Sequence, residues 1–488
     1  MPTTVRRSLS VFLLVVSVLF ASPQTPAQAP EPPKQVPGKE QPPTPPQSAP
    51  SQAAEPEPSK PITKAQAKEL FRSVDEILQF VSQDTGLPIK HKVKRKLITR
   101  DKVESYVEKR MKDDKDTQRL ERSQLVLQKF GLIPPGYDLH SEFLKLLSEQ
   151  VAAYYDSKTK TVNMLDWVQP ELQRPVLAHE LTHALQDQAV DMQKWGSAGA
   201  KDNKPLPDQQ EQVVEEAQAA RQNVTEGQAM LAMLDYTLAP AGVNVLTAPD
   251  IVNAMRAAMG DNKDSPVLAN APIFLRESLM MPYTFGLDFE TAVLKEKGKR
   301  GAFIGALDKP PSDTRQIMQP HAYLQDSVVK PLPVPDLDKL IAPDYERYDF
   351  AGMGAFDIYL LARQYAPKID PKDYYPHWRG GYYLAAHQKS VPKDQIALLY
   401  LSRWDSREAA EAFEKLYSSY VPTRYHLGSA GFGGPLDGID PKLEWNVGAQ
   451  GRVVLEVHGN ELLIMEGLSP STMDRLRAAI VPPAAAIH

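Results

Sequence analysis

Apolar residues at three- and four-residue intervals mark the first ordered element. Leu70, Phe71, Val74, Ile77, Leu78 and Val81 predict a helix over 65–83, closed by Gly86 and Pro88. The same spacing predicts helices over 117–130, 138–151, 208–236, 250–259, 272–279, 289–297, 406–418 and 470–479. Asp101 and Glu104 form a capping-box pattern for another helix through Met111. Alternation replaces this spacing elsewhere. Residues 91–99 read as a half-exposed strand, and AAYYDSKTKTVNML at 152–165 as a hairpin turning around Asp156–Lys160. Strands are also predicted over 381–386, 396–402, 451–457 and 461–465, the last two joined at His458-Gly459-Asn460.

Two segments follow neither period. Val11–Phe20 is an apolar run behind Arg6 and Arg7, followed by the small residues Ala21 and Ser22, and reads as a secretory signal. It is too short for a comfortable membrane span, the alternative being an uncleaved anchor. Either way the working part lies outside the cytoplasm. Pro23–Pro61 is dense in Pro, Gln, Ala and Glu and cannot bury a core, so an extended tether is expected.

The predicted class is therefore α+β and mostly helical. Its expected divisions are a signal at 1–22, a linker at 23–61, an N-terminal helical subdomain at 62–150, a catalytic domain at 151–330 and a C-terminal α+β region at 331–488. The Pro-rich stretch Lys330–Pro335 marks the last boundary.

Composition narrows the chemistry. There is no cysteine among the 488 residues, so disulfides, thiolate metal sites and cysteine nucleophiles are excluded. The net charge of −5 gives no reason to expect nucleic acid as a partner. The Lys and Arg residues of 91–99 read as a solvated edge.

One pentapeptide carries specific chemistry. His179-Glu180-Leu181-Thr182-His183 is an HExxH sequence in a predicted helix that has Pro175 in its first turn. Histidines four apart share a helix face and can both reach one Zn²⁺ at about 2.0–2.1 Å. Glu180 is then the candidate base. A third ligand is required. The pattern HExxHxxGxxH fails, because Gln186 and Ala189 stand at its Gly and final His, and the next histidine is His321. Glu215, Glu216 and Glu226 on the predicted helix 208–236 are the alternatives. Glu226 is favoured: Gly227 allows close helix approach, and Val224, Met230, Leu231 and Leu234 place it against a core, where a carboxylate needs a cation. Its competing role is a salt bridge with Arg221. Glu215 and Glu216 lie in QQEQVVEEAQAARQ, which reads as a solvated face. Asp187, one turn past His183, is the candidate partner for a ligand's outer nitrogen.

These residues resemble the gluzincins, zinc peptidases with HExxH and a glutamate third ligand. More narrowly they resemble a poorly characterised group of secreted bacterial metallopeptidases. The likeness rests on Tyr154-Tyr155-Asp156 with Thr159-Lys160-Thr161-Val162, on Ala178–Gln188, and on Glu226-Gly227-Gln228-Ala229. Pro310-Pro311-Ser312-Asp313-Thr314 with Gln316, and Trp404-Asp405-Ser406, extend it over most of 63–465. Two departures stand out. Gln319-Pro320-His321 occupies the place of His-Pro, and Met230 stands where thermolysin-like enzymes carry the Asp of ExxxD.

The resemblance implies a zincin-like catalytic domain with a small β-hairpin or sheet before the active-site helix. It implies one Zn²⁺ held by His179, His183 and Glu226, and peptide hydrolysis with Glu180 as base. The protein would be secreted or periplasmic, act on protein or peptide, and keep no stable membrane span after signal removal. Tyr155, Tyr283, His321 and Tyr323 are candidates to polarise the scissile carbonyl, and the hairpin 152–165 to pair with an extended substrate. The rival readings are a catalytically silent zinc protein that docks a partner through the region of Trp404, and a zinc hydrolase of a lipid, ester or cell-wall amide. Residues 63–150 could form a pro-segment, but the run from Glu149 into the hairpin favours an integral subdomain.

Overall fold

The computed structural model describes residues 61–481 except 104, 107–122, 151–152, 201–205, 261–265, 343, 390–394, 428–431 and 437–441. The expected signal, the tether up to residue 60 and much of the helices expected at 101–111 and 117–130 lie outside the described residues.

The architecture is α+β, as expected. Among the described residues nine longer helices carry it: α1 (Lys64–Thr85), α2 (Leu139–Gln150), α3 (Pro170–Val190), α4 (Asp208–Leu238), α5 (Pro249–Gly260), α6 (Ile273–Arg300), α7 (Ala355–Tyr365), α8 (Arg407–Arg424) and α9 (Pro470–Ile480). A three-stranded sheet comprises β1 (Lys94–Ile98), β2 (Ala153–Asp156) and β3 (Thr161–Leu165) in the order β1-β3-β2, with β1 parallel and β2 antiparallel to β3. A seven-stranded antiparallel sheet follows in the order β4-β5-β6-β10-β9-β8-β7. Its strands are β4 (Tyr345–Gly352), β5 (Trp378–Gln388), β6 (Ile396–Trp404), β7 (Phe432–Leu436), β8 (Lys442–Asn446), β9 (Arg452–His458) and β10 (Glu461–Glu466). Among the described residues no helix is long and apolar enough to cross a membrane.

Helix α1 begins at a capping box, Thr63 and Gln66 satisfying each other's backbone amides, and ends at left-handed Gly86. The hairpin forms where its sequence predicts, turning through Lys160 at positive φ. The strand expected at 91–99 does more than edge the fold, since β1 pairs along the whole of β3. Helix α3 starts at Pro170, five residues before the expected start, so Pro175 lies inside it. The loss is small there, because the carbonyl left without a partner belongs to exposed Glu171 in the first turn.

Two further expectations change. The separate helices expected at 272–279 and 289–297 are one element, α6, which runs through Pro282 and Gly286. Packing against α4 overrides these local breakers. The Pro-rich stretch 330–335 is sewn to α4: Leu332 is fully buried, and its carbonyl accepts from Gln209 and Gln212 (3.0 and 2.9 Å). A single apolar core runs from Leu70 through the HExxH helix to Ile464. A second core, around Tyr345, Tyr382, Leu463 and Met473, fills the other face of the large sheet.

Candidate metal centre

Residues 176–187 of α3 are buried without interruption. A helix enclosed all round needs no apolar stripe, which explains how charged and apolar residues share every face. Gln173 fixes this helix to the small sheet. Its amide accepts from Leu165 N (3.0 Å) and donates to Leu165 O (2.8 Å). Helix α4 begins with Asp208 and Glu211 in its first turn, where the helix dipole favours acids, and Arg347 grips Asp208 through both oxygens (2.6 and 2.7 Å). Its middle crosses α6 at Gly227 and Gly286. A Cβ at Gly227 would stand 2.2 Å from Gly286 O, and one at Gly286 would stand 2.5 Å from Asn223 O. That contact sets how closely α4 approaches α6.

His179, His183 and Glu226 converge there as one buried group able to hold a metal ion. His179 Nε2 lies 3.1 Å from both His183 Nε2 and Glu226 Oε2, and His183 Nε2 lies 3.4 Å from the same oxygen. Tetrahedral ligands bound at about 2.0–2.1 Å stand about 3.3–3.4 Å apart, so the three atoms fit one such ion. Glu226, the favoured of the three glutamates, is the one that meets the two histidines. Glu226 makes no ion pair with Arg221, which instead lies over the Trp195 ring at 5.2 Å and donates to Trp195 O.

Without a metal, the charges settle by proton sharing. Burial alone would lower His183, but the Glu226 carboxylate raises it above the usual histidine range. Burial alone would raise Glu226, and the His183 charge with the two imidazole contacts holds it well below its ordinary value. Burial keeps His179 low. A cation is thus required beside Glu226, whether proton or metal.

Glu180 is fully buried and its carboxyl is pushed by burial up to about 8. One oxygen accepts from Tyr155 N (2.7 Å), while the other, Oε1, has no hydrogen-bond partner among the described residues. Strand β2 therefore orients the glutamate with its backbone. The Tyr155 hydroxyl donates to Asp187 Oδ2 (2.7 Å), as does Lys160 Nζ (2.6 Å), tying the hairpin back to α3.

Three expectations need correction. Glu215 and Glu216 are buried, not solvated. Gly352 N donates to Glu215 (3.1 Å), and Thr314 N and Oγ1 donate to Glu216 (2.9 and 2.7 Å). Carboxylates whose charge is met by backbone amides can sit inside a fold, so their polar neighbours in sequence misled. Asp187 is occupied by the hairpin; the outer nitrogen of His183, Nδ1, lies 2.9 Å from Gln186 Oε1 instead. Trp404 itself is buried against Phe413 (4.7 Å between rings), not exposed on the C-terminal region. Gln186 could have been found from its i+3 position after His183.

The four candidate carbonyl donors separate. Of the four, Tyr283 stacks on His179, its ring 6.1 Å from the imidazole. Tyr155 is committed to Asp187, Tyr323 donates to Lys309 O (2.8 Å), and His321 is exposed on a short helix. No family model, curated protein or solved structure matches this chain.

Proposed function

We propose that the chain is a zinc-dependent metallopeptidase, zincin-like in its catalytic region and exported from the cytoplasm. The observation that carries this reading is the three-atom triangle of His179, His183 and Glu226 beside the buried carboxylate of Glu180. Two imidazoles and a carboxylate at tetrahedral spacing suit zinc, and an adjacent base favours hydrolysis over redox chemistry. The ion, when held there, supplies Lewis acidity for activating water and polarising a carbonyl.

The remaining roles fall to the chain. Glu180, held by Tyr155 N, takes the proton of the attacking water and returns it to the leaving amine. Tyr283 is the best placed of the four donors for the carbonyl oxygen.

Cleavage of casein and a peptide library, with and without chelator, tests the reading. Glu180→Gln is expected to keep zinc and to lose hydrolysis by at least about 100-fold. Retained cleavage in that variant would sink the mechanism. One observation favours a second reading. The four residues are only 2, 0, 1 and 5 % exposed, as suits a metal site that serves assembly instead of turnover. Zinc-loaded wild-type protein that cleaves nothing in the library would set the peptidase reading aside in favour of this one or of a non-peptide substrate.

A further inference from the structure

We propose that Gln186 and Gln228 form a two-amide relay that fixes the tautomer of His183 and so presents its Nε2 lone pair to the metal. The proposal rests on His183 being a ligand, and it adds two positioning residues behind the site.

An imidazole binds a metal through one nitrogen only when that nitrogen carries no proton. The other nitrogen must then carry one and find an acceptor. For His183 the outer nitrogen is Nδ1, and the atom 2.9 Å from it belongs to the side-chain amide of Gln186. An amide offers an acceptor at one end and donors at the other, so which end faces His183 decides the matter. The far end of Gln186 faces two oxygens, Thr225 O at 3.0 Å and Gln228 Oε1 at 2.9 Å. Only NH₂ satisfies both, which leaves the carbonyl toward His183.

Gln228 is held in the same way. Its own NH₂ faces Ala302 O (2.7 Å) and Phe303 O (3.1 Å), so its oxygen must face Gln186. A backbone carbonyl cannot reverse its polarity. The polarity of the relay is therefore imposed by main-chain acceptors at 225, 302 and 303 and delivered to His183 through two buried glutamines, each fully shielded from solvent. Water cannot substitute for either amide without entering the core. The bond to Thr225 O also ties α3 to the residue before Glu226, so the relay joins the two helices that carry the ligands.

Zinc affinity, read by competition with a chromophoric chelator on the full chain, tests this with wild type, Gln186→Leu, Gln186→Glu and Gln228→Leu. Gln186→Leu removes the acceptor and is expected to weaken zinc by about 10–100-fold, the usual effect of losing such a partner. Gln186→Glu keeps an oxygen toward Nδ1 but turns its second oxygen on Thr225 O and Gln228 Oε1, so its zinc affinity should fall between those of wild type and Gln186→Leu. Gln228→Leu leaves the Gln186 amide held by Thr225 O alone and should lose a few fold. A long-range ¹H–¹⁵N correlation on zinc-loaded wild type should show His183 protonated at Nδ1. Wild-type affinity in both leucine variants, or equal losses in Gln186→Leu and Gln186→Glu, would overturn the relay while leaving the metal site standing, whereas an Nε2-protonated His183 would overturn both, because that nitrogen could not then hold the ion. If Gln186→Leu fails to fold, Gln228→Leu decides alone. Wild type that takes up no zinc would overturn the metal site and the relay with it.

Discussion

At the scale of single residues, three glutamates compete for one metal, and burial does not tell them apart. Glu215, Glu216 and Glu226 all lie inside. What separates them is the partner. Glu226 faces two imidazole nitrogens, whereas Glu215 and Glu216 face backbone amides. Metal analysis should therefore find zinc lost from Glu226→Ala and His183→Ala and kept in Glu216→Ala. The last variant should instead be less stable by about 1–3 kcal/mol, because Thr314 N–H and its hydroxyl lose their buried acceptor. Zinc retained at full stoichiometry in Glu226→Ala would reassign the ligand. The sequence made Glu226 legible through the glycine after it and the apolar residues around it. It could not show that Glu216 is also buried, because Thr314 is 98 residues away in the chain.

Among elements, the glycine crossing of α4 and α6 carries the most weight. Gly227→Ala would drive a methyl into Gly286 O at 2.2 Å, and backbone cannot swing aside as a side chain can. The helices must part, at a cost of at least about 1–3 kcal/mol in unfolding free energy. Gly196→Ala meets nothing within 4 Å and serves as the neutral comparison in the same denaturation assay. Equal stability of the two variants would remove the crossing from the account. The terminal helix α9 hangs on a different device. Arg477 donates to both oxygens of Glu456 of β9 through Nε and Nη2 (2.8 and 2.7 Å). Burial alone would raise Glu456, but hydrogen bonds from His458 and Arg477, with the charges of Arg477 and Lys442, hold it at about 2 against an ordinary 4.5. A depressed carboxyl binds protons more weakly when folded than when unfolded. Its contribution is complete above pH 4.5 and disappears as pH falls toward 2. Amide exchange over 470–480 should quicken across that window, and Glu456→Gln should flatten the response. A wild-type profile no steeper than the variant's would discard the pair as the anchor.

Across the molecule, the N-terminal helices serve as part of the common core. Helix α1 contributes Leu70, Val74, Ile77 and Val81 to the same apolar cluster as the HExxH helix. Phe130 packs edge-on against Tyr383 and Tyr400 of the large sheet (5.9 and 5.8 Å), and its carbonyl accepts from Tyr365 OH (2.5 Å). Nearby, Arg424 donates to both Lys129 O (2.7 Å) and buried Glu466 (2.6 Å). A chain truncated to begin at residue 151 would expose those faces of α3 and the large sheet, and it is expected to be insoluble or molten by near-ultraviolet circular dichroism. A folded, zinc-binding protein with that N-terminus would make residues 62–150 a removable pro-segment.

The chain's own pattern determined the hairpin, most helices, the α+β class and the pairing of His179 with His183, because each depends on residues close in sequence and on a fixed period. It also narrowed the third ligand, since a cysteine-free chain with no suitable histidine leaves carboxylates. Tertiary structure decided the rest. It joined 272–279 to 289–297 across Pro282, because packing on α4 outweighs a local breaker. It turned Asp187 toward the hairpin and gave Gln186 the place behind His183. It brought Glu226, 47 residues beyond His179, to 3.1 Å from its ring. Periodicity reports which face of a helix is buried. Which atoms meet on that face is set by how two helices cross, and here Gln186 of α3 is bonded to Thr225 and Gln228 of α4 on either side of Glu226.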